Sequence, residues 1–209
     1  MKHTNDRFKM PDPRTLTELA LLTAVVLVMA ATPLGYLRVG PLTMSLLTVP
    51  VAIGAMLAGP TGGAWLGFVF GMTSFGNAVN GTGGLTAFAF QYNPILCFLT
   101  CVGTRVACGL CCALLFRAAS RLLPSRPKTA CLVGALSAPI LNTVFFMGCL
   151  LLFFYNMEQI QNMIAAFSVP NPLLLAVSMV GLQGVIEAAV CGVAATAVTV
   201  PLRKILKAR

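Results

Sequence analysis

The chain has 209 residues, of which 58% are hydrophobic and 9% are charged, with a net charge of +9. A soluble domain carries roughly a quarter charged residues, so this composition excludes a soluble globular protein. No Asp, Glu, Lys or Arg occurs in the 66 residues from Val39 to Thr104. One membrane helix needs about 20 apolar residues, so this stretch alone requires several crossings. The apolar runs are continuous, unlike the short alternating segments of a membrane β-barrel, which favours helices.

The sequence predicts an all-α bundle of six transmembrane helices within residues 15–202, between basic tails at residues 1–14 and 203–209. A signal peptide is the alternative for the first apolar run, but that run is long for a signal and five more follow it. A tight turn at Gly59 and Pro60 is expected to separate the second span from the third. The predicted spans are 16–32, 42–58, 63–79, 94–116, 130–155 and 172–200.

Basic residues define the expected orientation. Twelve of the 14 Lys and Arg residues fall in the two tails and in the connector between spans four and five. Six spans put these three clusters on one side of the membrane, and basic residues near helix ends mark the cytoplasmic side. Both termini are therefore predicted to be cytoplasmic, and the positive charge is assigned to topology and not to nucleic-acid binding.

The three loops on the opposite side are predicted to carry ligand chemistry, because binding residues concentrate on loops. They cover residues 35–41, 80–93 and 156–171, and the last two are long. We include Arg38, in the first of these loops, and Asn93, at the end of the second, among the candidate substrate-binding residues.

Small residues recur every four positions on three of the spans. Gly63, Gly67 and Gly71 do so on the third, and the sixth contains the series Gly184, Ala188 and Gly192. Such stripes let helix backbones approach closely in lipid, so both are expected to pack inside the bundle. The pair Ala20 and Ala24 on the first span has the same spacing and could face another span or a partner subunit.

Polar side chains inside the spans are the main functional candidates. Arg105, Asn142 and Glu187 are predicted near mid-depth on three different helices, with Gln183 one turn from Glu187. A charge at that depth costs a few kcal/mol or more and normally faces the bundle interior. Arg105 and Glu187 could pair with each other and tie two spans together. Alternatively, all four residues could form a polar pocket that binds a solute.

Catalytic and metal-binding readings are disfavoured. Four of the eight cysteines, Cys97, Cys101, Cys108 and Cys112, share one helical stripe, but there is no second CxxC motif beside Cys108 and Cys111. The only histidine, His3, lies in the N-terminal tail. No HExxH or Walker-type motif is present. We therefore expect no enzyme activity, no metal and no cofactor.

Three segments resemble a known family. They are residues 32–43 (TPLGYLRVGPLT), 49–60 (VPVAIGAMLAGP) and 67–75 (GFVFGMTSF), which look like the S components of energy-coupling factor (ECF) transporters. The likeness extends to chain length, six spans, basic termini and a basic connector. The segments that begin at Gly103 and Leu141, together with Glu187, also look like positions that the family uses.

The resemblance implies a mechanism and partners. Family S components are small membrane proteins of bacterial plasma membranes that bind a vitamin in an outward-facing pocket. They then associate with a transmembrane coupling subunit and two cytoplasmic ATPases, and are thought to topple within the bilayer to release the solute. Ala20 and Ala24 match the family's AxxxA motif, which contacts the coupling subunit.

The segments at residues 32–36 and 67–75 are most similar to S components associated with pantothenate. Arg105 would suit its carboxylate, with Asn142 and Gln183 for the hydroxyl and amide groups, although a nearby Glu187 would weaken that argument. Riboflavin, folate, a pyridoxine-like compound or a queuosine precursor are the alternative solutes. An autonomous secondary carrier and a structural membrane subunit without a ligand are the other functional readings.

Overall fold

A computed structural model describes residues 12–39, 42–167 and 172–207. Helices dominate this part of the chain, with one antiparallel hairpin of two strands in which Tyr36 pairs with Ser45. Residues 42–45, assigned to a span from the sequence, form the second strand, and α3 and α7 lie within the predicted loops. The elements are α1 (Pro13–Ala31), β1 (Tyr36–Val39), β2 (Leu42–Ser45), α2 (Thr48–Val79), α3 (Leu85–Tyr92), α4 (Pro94–Phe98), a π-helical turn (Leu99–Gly103), α5 (Thr104–Leu122), α6 (Pro127–Phe154), α7 (Glu158–Phe167) and α8 (Pro172–Lys207).

Five helices of the described chain are long and apolar enough to cross a membrane. This agrees with an all-α membrane protein. The predicted count of six crossings is reached only if α2 crosses the membrane twice. The five candidates are Pro13–Ala31, Thr48–Val79, Pro94–Leu122, Pro127–Phe154 and Gly184–Ile205.

Helix α2 folds back on itself at Gly59, which has φ 75° and ψ −159° and is followed by Pro60. The two arms, residues 48–58 and 60–79, lie side by side, since a Cβ on Gly63 would be 3.0 Å from the Cβ of Ala55. A Cβ on Gly54 would likewise overlap the side chain of Leu66, twelve residues away. Twelve residues span about 18 Å in a straight helix, so only a sharp reversal explains these contacts. The Gly-Pro turn predicted from the sequence is confirmed.

The second arm of α2 packs directly against the backbone of α5 through a seam of glycines. A Cβ on Gly63 would overlap the carbonyl of Gly109, and a Cβ on Gly67 would overlap that of Arg105. A Cβ on Gly71 would lie 2.7 Å from the Cα of Val102. This confirms internal packing for the stripe predicted on the third span. The seam also fixes the position of Arg105, because its own backbone is one of the contact points.

The other stripe, on α8, packs less uniformly. Gly192 is buried against α6, where an added Cβ would lie 2.9 Å from the Cδ2 of Leu136. Ala188 and Gly184 are half-buried. Internal packing is thus confirmed most clearly at Gly192.

Buried thiols tie α5 and α8 to α6. Pro139 has no N–H for the carbonyl of Ala135 four residues earlier, and the Sγ of Cys191 donates to that carbonyl at 3.3 Å. Cys108 donates to the carbonyl of Ala138 at 3.2 Å, and Cys112 to that of Gly134 at 3.3 Å. These cysteines therefore act as weak donors around a helix irregularity, a role that the stripe of cysteines in the sequence does not indicate.

The basic connector and the end of α8 lie at the same end of the bundle as the Gly59 turn. Arg117 lies beside Gly59, and the guanidinium of Arg203 lies 4.6 Å from the ring centre of Phe116. Leu19, near the start of α1, reaches Gly62 next to the turn. We call this the basic end, and the end that carries the β-hairpin is the hairpin end.

The glycine seam gives a stability prediction. Gly67→Ala should lower the free energy of unfolding by about 1–3 kcal/mol, because the new methyl group must displace the α5 backbone. Gly76→Ala on the same helix is the matched control, since an added Cβ there meets nothing within 4 Å. The control should be neutral or slightly stabilising. Fluorescence of the single Trp65 during denaturant unfolding measures both, and equal stability of the two variants would contradict the seam.

Candidate functional site

Arg105 is the centre of a buried polar region near the start of α5. It is 6% exposed, and its Nη1 donates to the carbonyl of Thr100 and to the Oγ1 of Thr104, both at 3.1 Å. Its Nε has no hydrogen-bond partner among the residues that the structure describes. The π-helical turn directly before it supplies the Thr100 carbonyl, and such turns are frequent at functional sites. Part of the guanidinium fork is therefore left for another acceptor.

Two aromatic rings hold the guanidinium from the sides. Its Cζ lies 4.0 Å from the ring centre of Phe146 on α6 and 5.3 Å from that of Phe70 on α2. Both distances are within the range of favourable cation–π contacts. A planar cation between apolar rings is poorly hydrated, so its interaction with an anion would be strong for its distance.

Glu187, 5% exposed on α8, has a partner of its own. Its Oε1 accepts a short hydrogen bond of 2.5 Å from the backbone N–H of Ser45, the last residue of β2. The hairpin is thereby attached to α8 by a charge-assisted bond, one of the stronger kinds of hydrogen bond in proteins.

The direct Arg105–Glu187 pair, one of the two alternatives from the sequence, does not form. Within residues 12–39, 42–167 and 172–207, the one ion pair joins Arg14 to Glu18, at 3.5 Å. Glu187 thus attaches the β-hairpin to α8, and Arg105 has no carboxylate beside it.

Asn142 lies on α6, one turn from Phe146, and is 7% exposed. Its Oδ1 has no hydrogen-bond partner in the described part of the chain, and neither do the Oγ1 of Thr100 and the Oγ of Ser45. Burial of an unpaired polar atom costs roughly 1–3 kcal/mol. Phe146, one turn further along α6, contacts the Arg105 guanidinium, and the pocket formed by Arg105, Asn142, Gln183 and Glu187 stays a prediction.

The β-hairpin adds residues that the sequence analysis missed. The hydroxyl of Tyr36 on β1 lies 2.9 Å from the Oγ1 of Thr73 on α2, and its ring is 6.5 Å from that of Phe70, which also faces Arg105. The available sequence signal is Thr73, a polar residue one turn beyond Phe70 in the segment 67–75.

Of the remaining candidate binding residues, Asn93 has described hydrogen bonds, whereas the side chains of Arg38 and Gln183 are not described. The Oδ1 of Asn93 caps α4 by accepting from the N–H groups of Ile95 and Leu96, both at 3.1 Å. This gives Asn93 a local structural role and leaves its binding role a prediction. The side chains of Arg38 and Gln183 lie outside the described part of the structure.

Ala20 and Ala24 are both exposed on α1. The larger residues around them, Leu21 and Leu27, are exposed as well. On an adjoining part of the helix surface, the Nε1 of Trp65 donates to the Oγ1 of Thr23 at 3.1 Å, which connects α1 to α2. The AxxxA pair therefore belongs to an apolar face that the rest of the described chain leaves open.

Comparison with known proteins gives one family. The family model described as ECF transporter, substrate-specific component, matches residues 14–199. A comparison with curated proteins returned no match. The matched region extends from the beginning of α1 almost to the end of α8, and proteins of this family are substrate-binding subunits of transporters and not enzymes. The chain belongs to the family of substrate-specific components of ECF transporters.

Proposed function

We propose that this substrate-specific component captures a small anionic vitamin, with pantothenate as the leading candidate, for ATP-driven import. The observation that carries the proposal is Arg105, a buried cation with an unpaired Nε and no ion-pair partner in the described residues. A buried charge without a counter-charge is costly. A ligand carboxylate would supply both the missing charge and the missing acceptor.

The separation of Arg105 from Glu187 strengthens the anionic assignment. Glu187 is engaged by the N–H of Ser45, so it does not neutralise Arg105 directly. Pantothenate carries a carboxylate, two hydroxyls and an amide. The unpaired oxygens of Asn142 and Thr100 could accept from its O–H or N–H groups, with Gln183 and Arg38 as further candidates.

The depth of the β-hairpin supports a solute cavity. The first arm of α2 has 11 residues and is about 16 Å long, roughly half the thickness of the hydrocarbon core. The hairpin that precedes it would then lie below the membrane surface. Non-helical backbone is tolerated at that depth only where it is buried in protein or lines a water-filled cavity. The hairpin would thus form a wall of the solute site.

The proposed topology has six crossings, counting the two arms of α2 separately, with both termini in the cytoplasm of a bacterial cell. The convergence of Arg117, Arg126, Lys128 and Arg203 at the basic end supports it, because positive residues remain on the cytoplasmic side. The hairpin end would then face outward and receive the solute.

The open face of α1 is the proposed contact with the transmembrane coupling subunit, which acts together with two cytoplasmic ATPases. Ala20 and Ala24 would permit close helix approach there. Their exposure, in contrast to the buried glycines of α2, supports a partner outside this chain.

Solute binding should depend on Arg105. We expect Arg105→Ala to weaken pantothenate binding by about 10- to 150-fold, as for the loss of hydrogen bonds to a charged group. Asn142→Ala should weaken pantothenate binding less, by about three- to tenfold, as for the loss of a neutral hydrogen bond. Arg105→Lys should be intermediate, because it keeps the charge and loses the fork. Calorimetric titration of the purified chain measures all three.

Arg121→Ala, an exposed arginine at the basic end, is the control and should bind like the unchanged chain. Denaturant unfolding measured by Trp65 fluorescence shows whether each variant is folded, so that a loss of binding can be distinguished from a loss of folding. Parallel titrations with riboflavin, folate and a pyridoxine-like compound test the solute class. Unchanged affinity in a folded Arg105→Ala variant would remove Arg105 from the site, and selective binding of a neutral vitamin would refute the anionic assignment.

A second set of variants tests the coupling face. Ala20→Trp and Ala24→Trp should leave solute binding intact and abolish uptake by the chain reconstituted with its coupling subunit and ATPases, because an indole prevents close helix approach. Leu152→Trp on α6 is the control, since that residue is 75% exposed on a different helix. Normal uptake by the Ala20→Trp and Ala24→Trp variants would contradict the coupling role. Uptake by the chain alone, without the coupling subunit and ATPases, would indicate an autonomous carrier.

A further inference from the structure

A cavity of about 550 Å³ opens at the basic end, between the α5–α6 connector and the last turns of α8. Four cations line it: Arg126, Lys128, Arg203 and Lys204. It lies at the opposite end of the bundle from the hairpin and from the proposed solute site. None of the residues that line it is acidic, and none of the four cations forms an ion pair within the described residues.

Four positive side chains around one cavity repel each other, and a bound anion would reverse that cost. Arg203 is held in place by its contact with the Phe116 ring, 4.6 Å from its Cζ. Its guanidinium is therefore partly ordered before any ligand binds, which lowers the entropic cost of binding.

The beginning of α6 adds backbone donors to the same cavity. Pro127 occupies the first helical position, and no side chain caps the helix from Arg126. The first intrahelical bond of this turn comes from the N–H of Ala130 to the carbonyl of Arg126. The N–H groups of Lys128 and Thr129, both lining residues, precede it and point out of the helix end, where anions are stabilised.

The surroundings of the cavity are apolar. Val200 and Cys131 form part of its wall. Leu115, two turns before the end of α5, and Val198 and Leu202, on the turns of α8 beside the lining residues, are exposed. In a membrane helix such side chains face acyl chains. A free phosphate would use only the cations, whereas a phospholipid would use both the cations and this apolar surface.

We propose that the cavity binds the phosphate headgroup of an anionic phospholipid from the cytoplasmic leaflet, with its acyl chains along α5 and α8. Basic cavities between membrane helices on the cytoplasmic side are suited to such headgroups. The lipid would hold the connector against the end of α8 and fix the basic end at the membrane surface.

The test is native mass spectrometry and thermal unfolding of the purified full chain with added phosphatidylglycerol or phosphatidylcholine. Phosphatidylglycerol should bind at one molecule per chain and raise the unfolding temperature, whereas phosphatidylcholine should not. The double variant Arg126→Gln, Lys128→Gln should weaken phosphatidylglycerol binding about 10- to 30-fold. The control double variant Arg117→Gln, Arg121→Gln keeps the cavity and should bind normally.

Inorganic phosphate at millimolar concentration distinguishes a headgroup site from a free-phosphate site. Displacement of the lipid by inorganic phosphate alone would overturn the proposal, as would equal losses in the two double variants. Equal binding of both lipids would also refute it. Loss of assembly with the coupling subunit and ATPases in the cavity variant, without loss of lipid binding, would instead assign the cavity to a protein partner.

Discussion

The close contact between the second arm of α2 and α5 fixes the backbone of Arg105, on which the candidate site depends. Glycines on both sides bring the two backbones together, and the carbonyl of Arg105 is itself one of the contact points. Hydrophobic burial provides little drive between helices in lipid, so this kind of backbone proximity has to replace it. The guanidinium then lies between Phe70 and Phe146, and no described carboxylate forms an ion pair with it.

The two buried charges of the bundle have separate roles. Glu187 holds the end of the β-hairpin through the N–H of Ser45, and Arg105 is surrounded by two aromatic rings, the Thr100 carbonyl and the Thr104 hydroxyl. A direct ion pair between Arg105 and Glu187 would have connected α5 to α8 and would have left Arg105 with little capacity to bind a ligand. Their separation leaves Arg105 without a carboxylate beside it, while Glu187 attaches the hairpin to α8.

Composition and spacing predicted much of this structure, because they report on burial and close packing. The apolar helices, the turn at Gly59 and the seam through Gly67 all followed from residue types at fixed intervals. The burial of Arg105 and Asn142 was also predicted, because polar side chains inside a membrane span normally face the bundle interior. The partner of Glu187 was not, because a backbone N–H has no signature in the sequence. The strand at residues 42–45 was missed for a related reason: an apolar segment reads equally well as a strand or as part of a helix.

The central claim, that Arg105 gives this chain an anion-binding solute site, is tested most directly by native mass spectrometry of the detergent-purified chain. Denaturation then releases any bound small molecule for identification. The account predicts one vitamin-sized molecule per chain that carries a carboxylate, with the mass of pantothenate as the first expectation. A chain that carries nothing and ignores an added vitamin panel, or one that retains a neutral or cationic solute, would contradict it.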